Sequence, residues 1–237
     1  MYKQNFKSRP FRKGPSSHAH SYGSRRFHAG HRIKGKGIDI SKFVNKAVET
    51  EVSAPFTPEH LFKDFPIREG LKSNILAKGY EHPTPIQDKI IPHILNGSDV
   101  VGIANTGTGK TGAFLIPLIN KALMNHKENV LIVAPTRELA IQINQEFKDF
   151  SRYMKIFSVC CVGGAHIGRQ ISELKRPHRF IIGTPGREKD LNKRKLIDFS
   201  KFNTVVLDEA DRMLDMGFID DMRFMMSRLP KERHTLF

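Results

Sequence analysis

A chain of 237 residues with 39 Lys and Arg against 24 Asp and Glu carries a formal net charge of +15, is long enough to bury a sizeable core, and suits a polyanionic partner such as nucleic acid. No run approaches the roughly 18 apolar residues of a membrane helix, and the first residues lack the apolar core of a secretion signal, which argues against a spanning or exported protein. The two cysteines, Cys160 and Cys161, are adjacent in one apolar run; they point to opposite faces of a strand, cannot staple distant segments, and indicate a reducing, cytoplasmic compartment.

Residues 1–37 contain ten Lys and Arg, no Asp or Glu, and four histidines. Such a segment cannot bury enough apolar surface to offset its ordering entropy, so a disordered basic arm is predicted. Tyr2, Phe6, Phe11, Tyr22 and Phe27 are interleaved with the charges. That pattern serves either to pair phosphates and stack on unpaired bases or merely to keep the chain soluble. Residues 38–58 follow as a linker with at most one helical turn.

A globular part is predicted over 59–237. Amphipathic spacing gives a helix over 68–78, stopped by Gly79, and a second from Pro85 to about Asn96, stopped by Gly97. Pro83 and Pro85 stiffen the intervening loop, and Gln87 sits on the first turn of the second helix. Its side chain both donates and accepts, as an adenine edge requires. Val100, Val101 and Ile103 have the length and branching of a buried strand, which empties into a small-residue loop, Ala104 to Gly109, ahead of Lys110 and Thr111. Gly107 and Gly109 free the backbone to curl, so that the N–H groups of the Thr106–Lys110 stretch, Thr108 included, point at one spot. A helix beginning near Lys110 adds its partial positive charge. A polyphosphate fits there, with Lys110 reaching the β- and γ-phosphates and the Thr111 hydroxyl placed to ligate the Mg2+ that bridges them.

Downstream, a helix is predicted over 109–125, kinked at Pro117, and strands over 130–134, 156–162, 179–183 and 203–207. Helical patterns open at Pro135–Ala140 and recur over 166–175, 187–193 and 217–229. Strands alternating with helices imply an α/β fold with a mostly parallel sheet covered on both faces, and ligand sites at the carboxyl ends of the strands. Three suggestive stretches fall at those ends: Gly163-Gly164, Thr184 to Arg187, and Asp208-Glu209-Ala210-Asp211. A carboxylate closing a buried strand, Asp208, suits a magnesium contact opposite Thr111, and Glu209 beside it can orient and deprotonate a water. Thr235 to Phe237 reads as the start of a further strand.

Taken in order, these residues resemble the DEAD-box family of ATP-dependent RNA helicases over roughly 60–237. The resemblance rests on Phe62, the stretch 79–87 with Gln87, the loop 104–111, Pro135 to Ala140, Gly163-Gly164, Thr184 to Arg187, and the literal Asp-Glu-Ala-Asp at 208–211. It implies a RecA-like fold for a P-loop NTPase, with ATP and Mg2+ as ligands. It also implies that Phe62 stacks on adenine while Gln87 bonds its edge. Thr136, Arg137, Gly163, Gly164, Thr184, Gly186 and Arg187 would then hold the sugar–phosphate backbone of one RNA strand without reading bases.

Ala104 departs from the usual phosphate-loop pattern, which opens on glycine, and Glu188 stands where the family usually has a leucine. The resemblance further implies that a Ser-Ala-Thr motif and a second RecA-like domain with arginine fingers follow Phe237. Such fingers are worth about 10³ to 10⁵ in rate, so the 237 residues alone are expected to hydrolyse ATP poorly and not to unwind. Ending the strand at Phe237 is expected to leave a gap in the sheet. The rival readings are a nucleotide- and RNA-binding module without turnover, and a DNA-translocating helicase that shares the phosphate loop.

Overall fold

A computed structural model describes residues 56–237. The basic arm and all but the last three residues of the linker lie outside the described residues. In chain order the elements are α1 (Glu69–Ala77), α2 (Pro85–Leu95), α3 (Lys110–Met124), β1 (Val130–Val133), α4 (Arg137–Phe150), β2 (Ser158–Cys161), α5 (Ile167–Leu174), β3 (Phe180–Gly183), α6 (Pro185–Lys193), β4 (Thr204–Leu207), α7 (Ala210–Asp215), α8 (Ile219–Met226) and β5 (His234–Leu236). The strands form one sheet in the order β2-β3-β1-β4-β5, and every pair is parallel.

Because side chains alternate along a strand, each short run feeds two cores. Val130, Ile132, Phe180, Ile182 and Val206 point to one face, where they meet Leu71 and Ile75 of α1, Ile91 and Ile94 of α2, Leu115 and Leu118 of α3, and Ile143 and Phe147 of α4. Leu131, Val133, Ile181, Val205 and Leu207 point to the other, against Leu191 of α6, Met213 of α7 and Met225 of α8. The all-apolar strands are therefore covered on both sides, as a parallel sheet requires. Cys160 packs towards the first core and Cys161 lies in the second, and both are free thiols.

Helix α3 runs from Lys110 to Met124 with Pro117 inside it. Two boundaries differ from the sequence expectation. The acidic stretch continues into α7, a helix the sequence reading omits. Gly217, at φ +82°, closes that helix, its N–H bonding the Leu214 carbonyl while Phe218 N–H bonds that of Met213. This left-handed cap stops one helix where a single longer one was expected to begin, so α8 starts only at Ile219.

The expected strand at 100–103 is reduced to a single parallel bridge between Val100 and Leu236. Val101 is 69% exposed and Ile103 92% exposed. The segment's backbone bonds, made by Val100 and Gly102, run towards residues 235–237. The expected gap in the sheet does not occur. Strand β5 pairs with β4 on one side, and on the other its Thr235 and Phe237 carbonyls accept from Val100 and Gly102 N–H. Beneath it, His234 Nε2 donates to the Ser98 carbonyl and the Asp99 carboxylate accepts from Thr235 N–H at 2.7 Å.

Leu236 is buried whereas Val101 is not, so Leu236→Ala should cost about 2–5 kcal/mol and Val101→Ser no more than about 0.5 kcal/mol. Chemical denaturation of the two variants checks this; equal losses would mean that β5 is not integral to the sheet.

Candidate functional site

The phosphate loop gets its shape from two left-handed glycines, Gly107 at φ +81° and Gly109 at φ +91°, the second being the N-cap of α3. Ala104 keeps a negative φ, so alanine does not strain the turn. Its carbonyl accepts a hydrogen bond from Lys110 Nζ, and the Thr108 hydroxyl donates to the Asn105 carbonyl at 2.7 Å. The loop is thus braced from within by its own polar groups.

It is also braced from α2. Thr84 and Gln87 form a reciprocal capping box, in which Gln87 Oε1 accepts from Thr84 N–H at 3.0 Å. The other end of the same amide, Nε2, donates to the Gly109 carbonyl at 3.0 Å. A Cβ at Gly109 would fall 2.6 Å from that nitrogen, so the glycine is needed for close approach as well as for φ. Gln87 is buried, and both ends of its amide are engaged by the protein. In this arrangement it ties the stretch 79–87 to the phosphate loop.

Phe62 is likewise packed inside the domain. At 1% exposure it lies in the first core, edge-on to Phe65 and 6.2 Å from the ring of Tyr80, with no face open for stacking. Tyr80 is the aromatic residue that reaches the cleft above the phosphate loop. Its hydroxyl donates to Glu146 at 3.2 Å, and burial together with that carboxylate pushes its pKa up to about 12.

The cleft, about 610 Å³, brings together Thr106, Gly107, Gly109, Lys110, Thr111, Thr136, Asp208 and Glu209 from stretches more than 100 residues apart. Asp208 is held at the end of β4, its N–H donating to the Val133 carbonyl at 3.0 Å. Burial foremost, and then the charge of Glu209, raise its carboxyl to about 6, against the lowering effect of Lys110. Glu209 occupies the left-handed region at φ +51°, a strained conformation for a residue with a side chain. Arg212 Nη1 holds its Oε2 at 3.0 Å.

Helix α4 contributes Glu138, Gln142 and Glu146 to the same cleft. Sequence reasoning missed these residues and Arg212, although the i, i+4, i+8 spacing of the first three marks a common helix face.

Of the residues expected to face RNA, Thr136 lines the cleft beside the phosphate loop, and its hydroxyl caps α4 by accepting from Leu139 N–H at 3.3 Å. Arg137 lies across Gly164, where φ is +68° and a Cβ would overlap the guanidinium. Arg187 Nη1 donates to Gln170 Oε1 at 3.0 Å, while Gln170 Nε2 donates to the Val162 carbonyl. This links the Arg187 turn to the end of β2. Gln170 had no sequence signal, since α5 carries no motif. Thr184 is buried with its N–H on the Cys161 carbonyl; Gly163 is half-buried and Gly186 exposed.

A family model described as DEAD/DEAH box helicase matches residues 84–237. The curated DEAD-box ATP-dependent RNA helicase CshA of Bacillus cereus is 43% identical over 177 residues, which is 74% of this chain and 34% of that protein. A DEAD box protein of known structure from the hyperthermophile Methanococcus jannaschii superposes with a TM-score of 0.71 at 36% identity, covering 75% of this chain and 49% of the other. A hypothetical ATP-dependent RNA helicase from Sulfolobus tokodaii gives 0.66 at 36% identity, over 72% and 49%. The chain therefore spans about a third of the curated relative and about half of each solved one.

Glu188 lies directly behind the Thr184–Arg187 turn. It is fully buried, neither carboxylate oxygen has a hydrogen-bond partner, and a Cβ at Gly183 would stand 2.8 Å from its Oε1. Burial holds its pKa well above the ordinary carboxylate range. The native state therefore keeps a proton that the unfolded chain has released, and stability falls as pH rises above the ordinary Glu value. Glu188→Leu should raise the melting temperature by about 3–10 °C at about pH 8 and by much less at about pH 4. Thermal scans at both pH values test this; an equal gain at each would contradict it.

Proposed function

Because the chain belongs to the DEAD/DEAH box helicase family, we propose that residues 59–237 form the ATP-binding motor domain of an RNA-stimulated ATPase that locally unwinds or remodels RNA duplexes. The observation that carries this is the single cleft joining the phosphate loop to Thr111, Asp208 and Glu209.

The Thr106–Lys110 backbone and Lys110 bind the triphosphate, with Ala104 and Thr108 setting the shape of the loop. Lys110 gives up its bond to the Ala104 carbonyl for phosphate oxygen. Thr111 and Asp208 line the cleft with hard oxygen donors, the chemistry that suits magnesium completing its shell with phosphate and water. When bound, that ion neutralises charge on the β- and γ-oxygens. Glu209 has one oxygen on Arg212 and the other available to a water. As the water oxygen bonds to the γ-phosphorus, its proton passes to Glu209, and the bond to the β–γ bridging oxygen breaks with its electron pair leaving on ADP. Tyr80, rather than Phe62, offers the aromatic wall for the base.

Thr136, Arg137, Gly163, Gly164, Thr184, Gly186 and Arg187 hold the RNA backbone, with Gln170 positioning Arg187. A second RecA-like domain supplies arginines in the complete protein. The two free cysteines support a cytoplasmic location, and among the described residues no helix is long and apolar enough to cross a membrane.

In the full-length protein, Glu209→Gln should lower RNA-stimulated ATP hydrolysis by about 10² to 10⁴ while leaving MgATP affinity within about twofold. A phosphate-release assay with and without RNA checks this. Undiminished hydrolysis in the variant, or wild-type turnover indifferent to RNA, would contradict the assignment, and MgATP and RNA binding by the wild type with no phosphate released would favour the binding module.

A further inference from the structure

We propose that the end of the sheet opposite the phosphate loop carries a second RNA-binding surface, built on the turn 151–157 and suited to an unpaired strand. The sites described above all lie at the carboxyl ends of the strands. The turn 151–157 joins α4 to β2 and therefore sits at the amino ends.

Two clefts flank this turn. One, about 500 Å³, is lined by Arg68, His126, Lys155 and Arg179, and the other, about 440 Å³, by Lys148, Phe157, Arg176 and His178. The two are neighbours, since the carbonyl of Phe157 in the second accepts from the N–H of Arg179 in the first at 3.0 Å. Arg68, Lys148, Lys155, Arg176 and Arg179 form no ion pair among the described residues. The acidic residues in these clefts are Glu69 and Glu173, and each is already paired, with Lys72 and Arg169 respectively, at 3.0 Å. Five cations thus stand uncompensated on one edge of the protein. Self-repulsion makes that arrangement costly unless a polyanion meets it.

Aromatic rings are set among the charges. Tyr153 is 90% exposed and held at φ +62°, a conformation that a residue with a bulky side chain adopts only at a cost. The Arg152 guanidinium stacks 5.0 Å from its ring centroid, and Phe157 is 58% exposed. Rigid, outward-facing rings interleaved with guanidinium groups make a stacking platform for bases whose phosphates run along the cations. An acidic protein segment would use the cations and leave the rings idle, so the chemistry favours RNA.

Helix α4 joins the two surfaces. It starts at Arg137 beside Gly164 and ends at Phe150, and its 14 residues span roughly 21 Å. An RNA must therefore extend well past the first groove to reach the turn.

The test uses the full chain and fluorescence anisotropy with two unpaired RNAs, one of about 6 nucleotides and one of about 30, bracketing the roughly 4–16 that a single module covers. The double variant Tyr153→Asn, Lys155→Ser keeps the left-handed backbone with a residue that tolerates it. It should bind the long RNA about tenfold more weakly, with a log–log salt slope shallower by about 0.7, and bind the short RNA as the wild type does. Arg187→Ala should weaken both lengths, which keeps the first groove's contribution separate. Unchanged long-RNA affinity in the double variant overturns the proposal, as does an equal loss for both lengths. Loss of polyglutamate binding with RNA binding intact also overturns it and assigns the surface to an acidic protein. A wild-type chain that binds neither RNA overturns the RNA reading of the first groove as well.

Discussion

One buried carboxamide ties the nucleotide end of this protein together. Gln87 accepts from Thr84 N–H with its oxygen and donates to the Gly109 carbonyl with its nitrogen. Through this side chain the cap of α2 and the start of α3 become one unit, and the phosphate loop is fixed between them. Everything the cleft does depends on that placement. The left-handed Gly109 leaves room for the amide, Lys110 begins the helix whose dipole faces the phosphates, and Thr111 follows on the next residue. Buried polar groups with both ends satisfied hold geometry more firmly than exposed ones, because breaking either bond strands a donor or acceptor away from water.

The sheet meets this unit from the other side. Four-residue strands that alternate between two cores carry Asp208 and the Gly163 and Thr184 turns to one edge, and β5 closes the sheet against residues 98–102. Helix α6 places a fully buried Glu188 behind the Arg187 turn. An unpartnered carboxyl there loosens, as pH rises, the very element that presents Arg187 to the groove. At the far end of the strands, cations and an outward Tyr153 form a face of different character, linked to the first through α4 and β2.

Much of this was legible in the sequence, and what was not has a common cause. Val130–Val133, Phe180–Gly183 and Thr204–Leu207 are unbroken apolar runs, so their strands and the loops at their ends could be placed from pattern alone. Val100-Val101-Gly102-Ile103 uses the same alphabet, yet its burial depends on which elements cover it, and pattern does not contain that. Gly217 was readable as a helix boundary but not as which one, because a left-handed cap and a helix start look alike in one dimension. The aromatic and amide of the 62–87 stretch were found as residue types. Their orientations are set by partners distant in sequence, Gly109 for Gln87 and the first core for Phe62, which one-dimensional pattern does not contain. Glu188 stood out as a departure, but its complete burial is a property of the fold.

The most direct measurement separates loop bracing from base reading at Gln87. Calorimetric titration of wild type and Gln87→Ala with MgATP and with magnesium tripolyphosphate, which has no base, compares the two roles. If Gln87 holds the phosphate loop, both ligands bind about tenfold more weakly to the variant, the worth of roughly 1.4 kcal/mol in hydrogen bonding. If tripolyphosphate binds the variant as it binds the wild type while ATP binding falls, Gln87 reads the base and the bracing role is wrong.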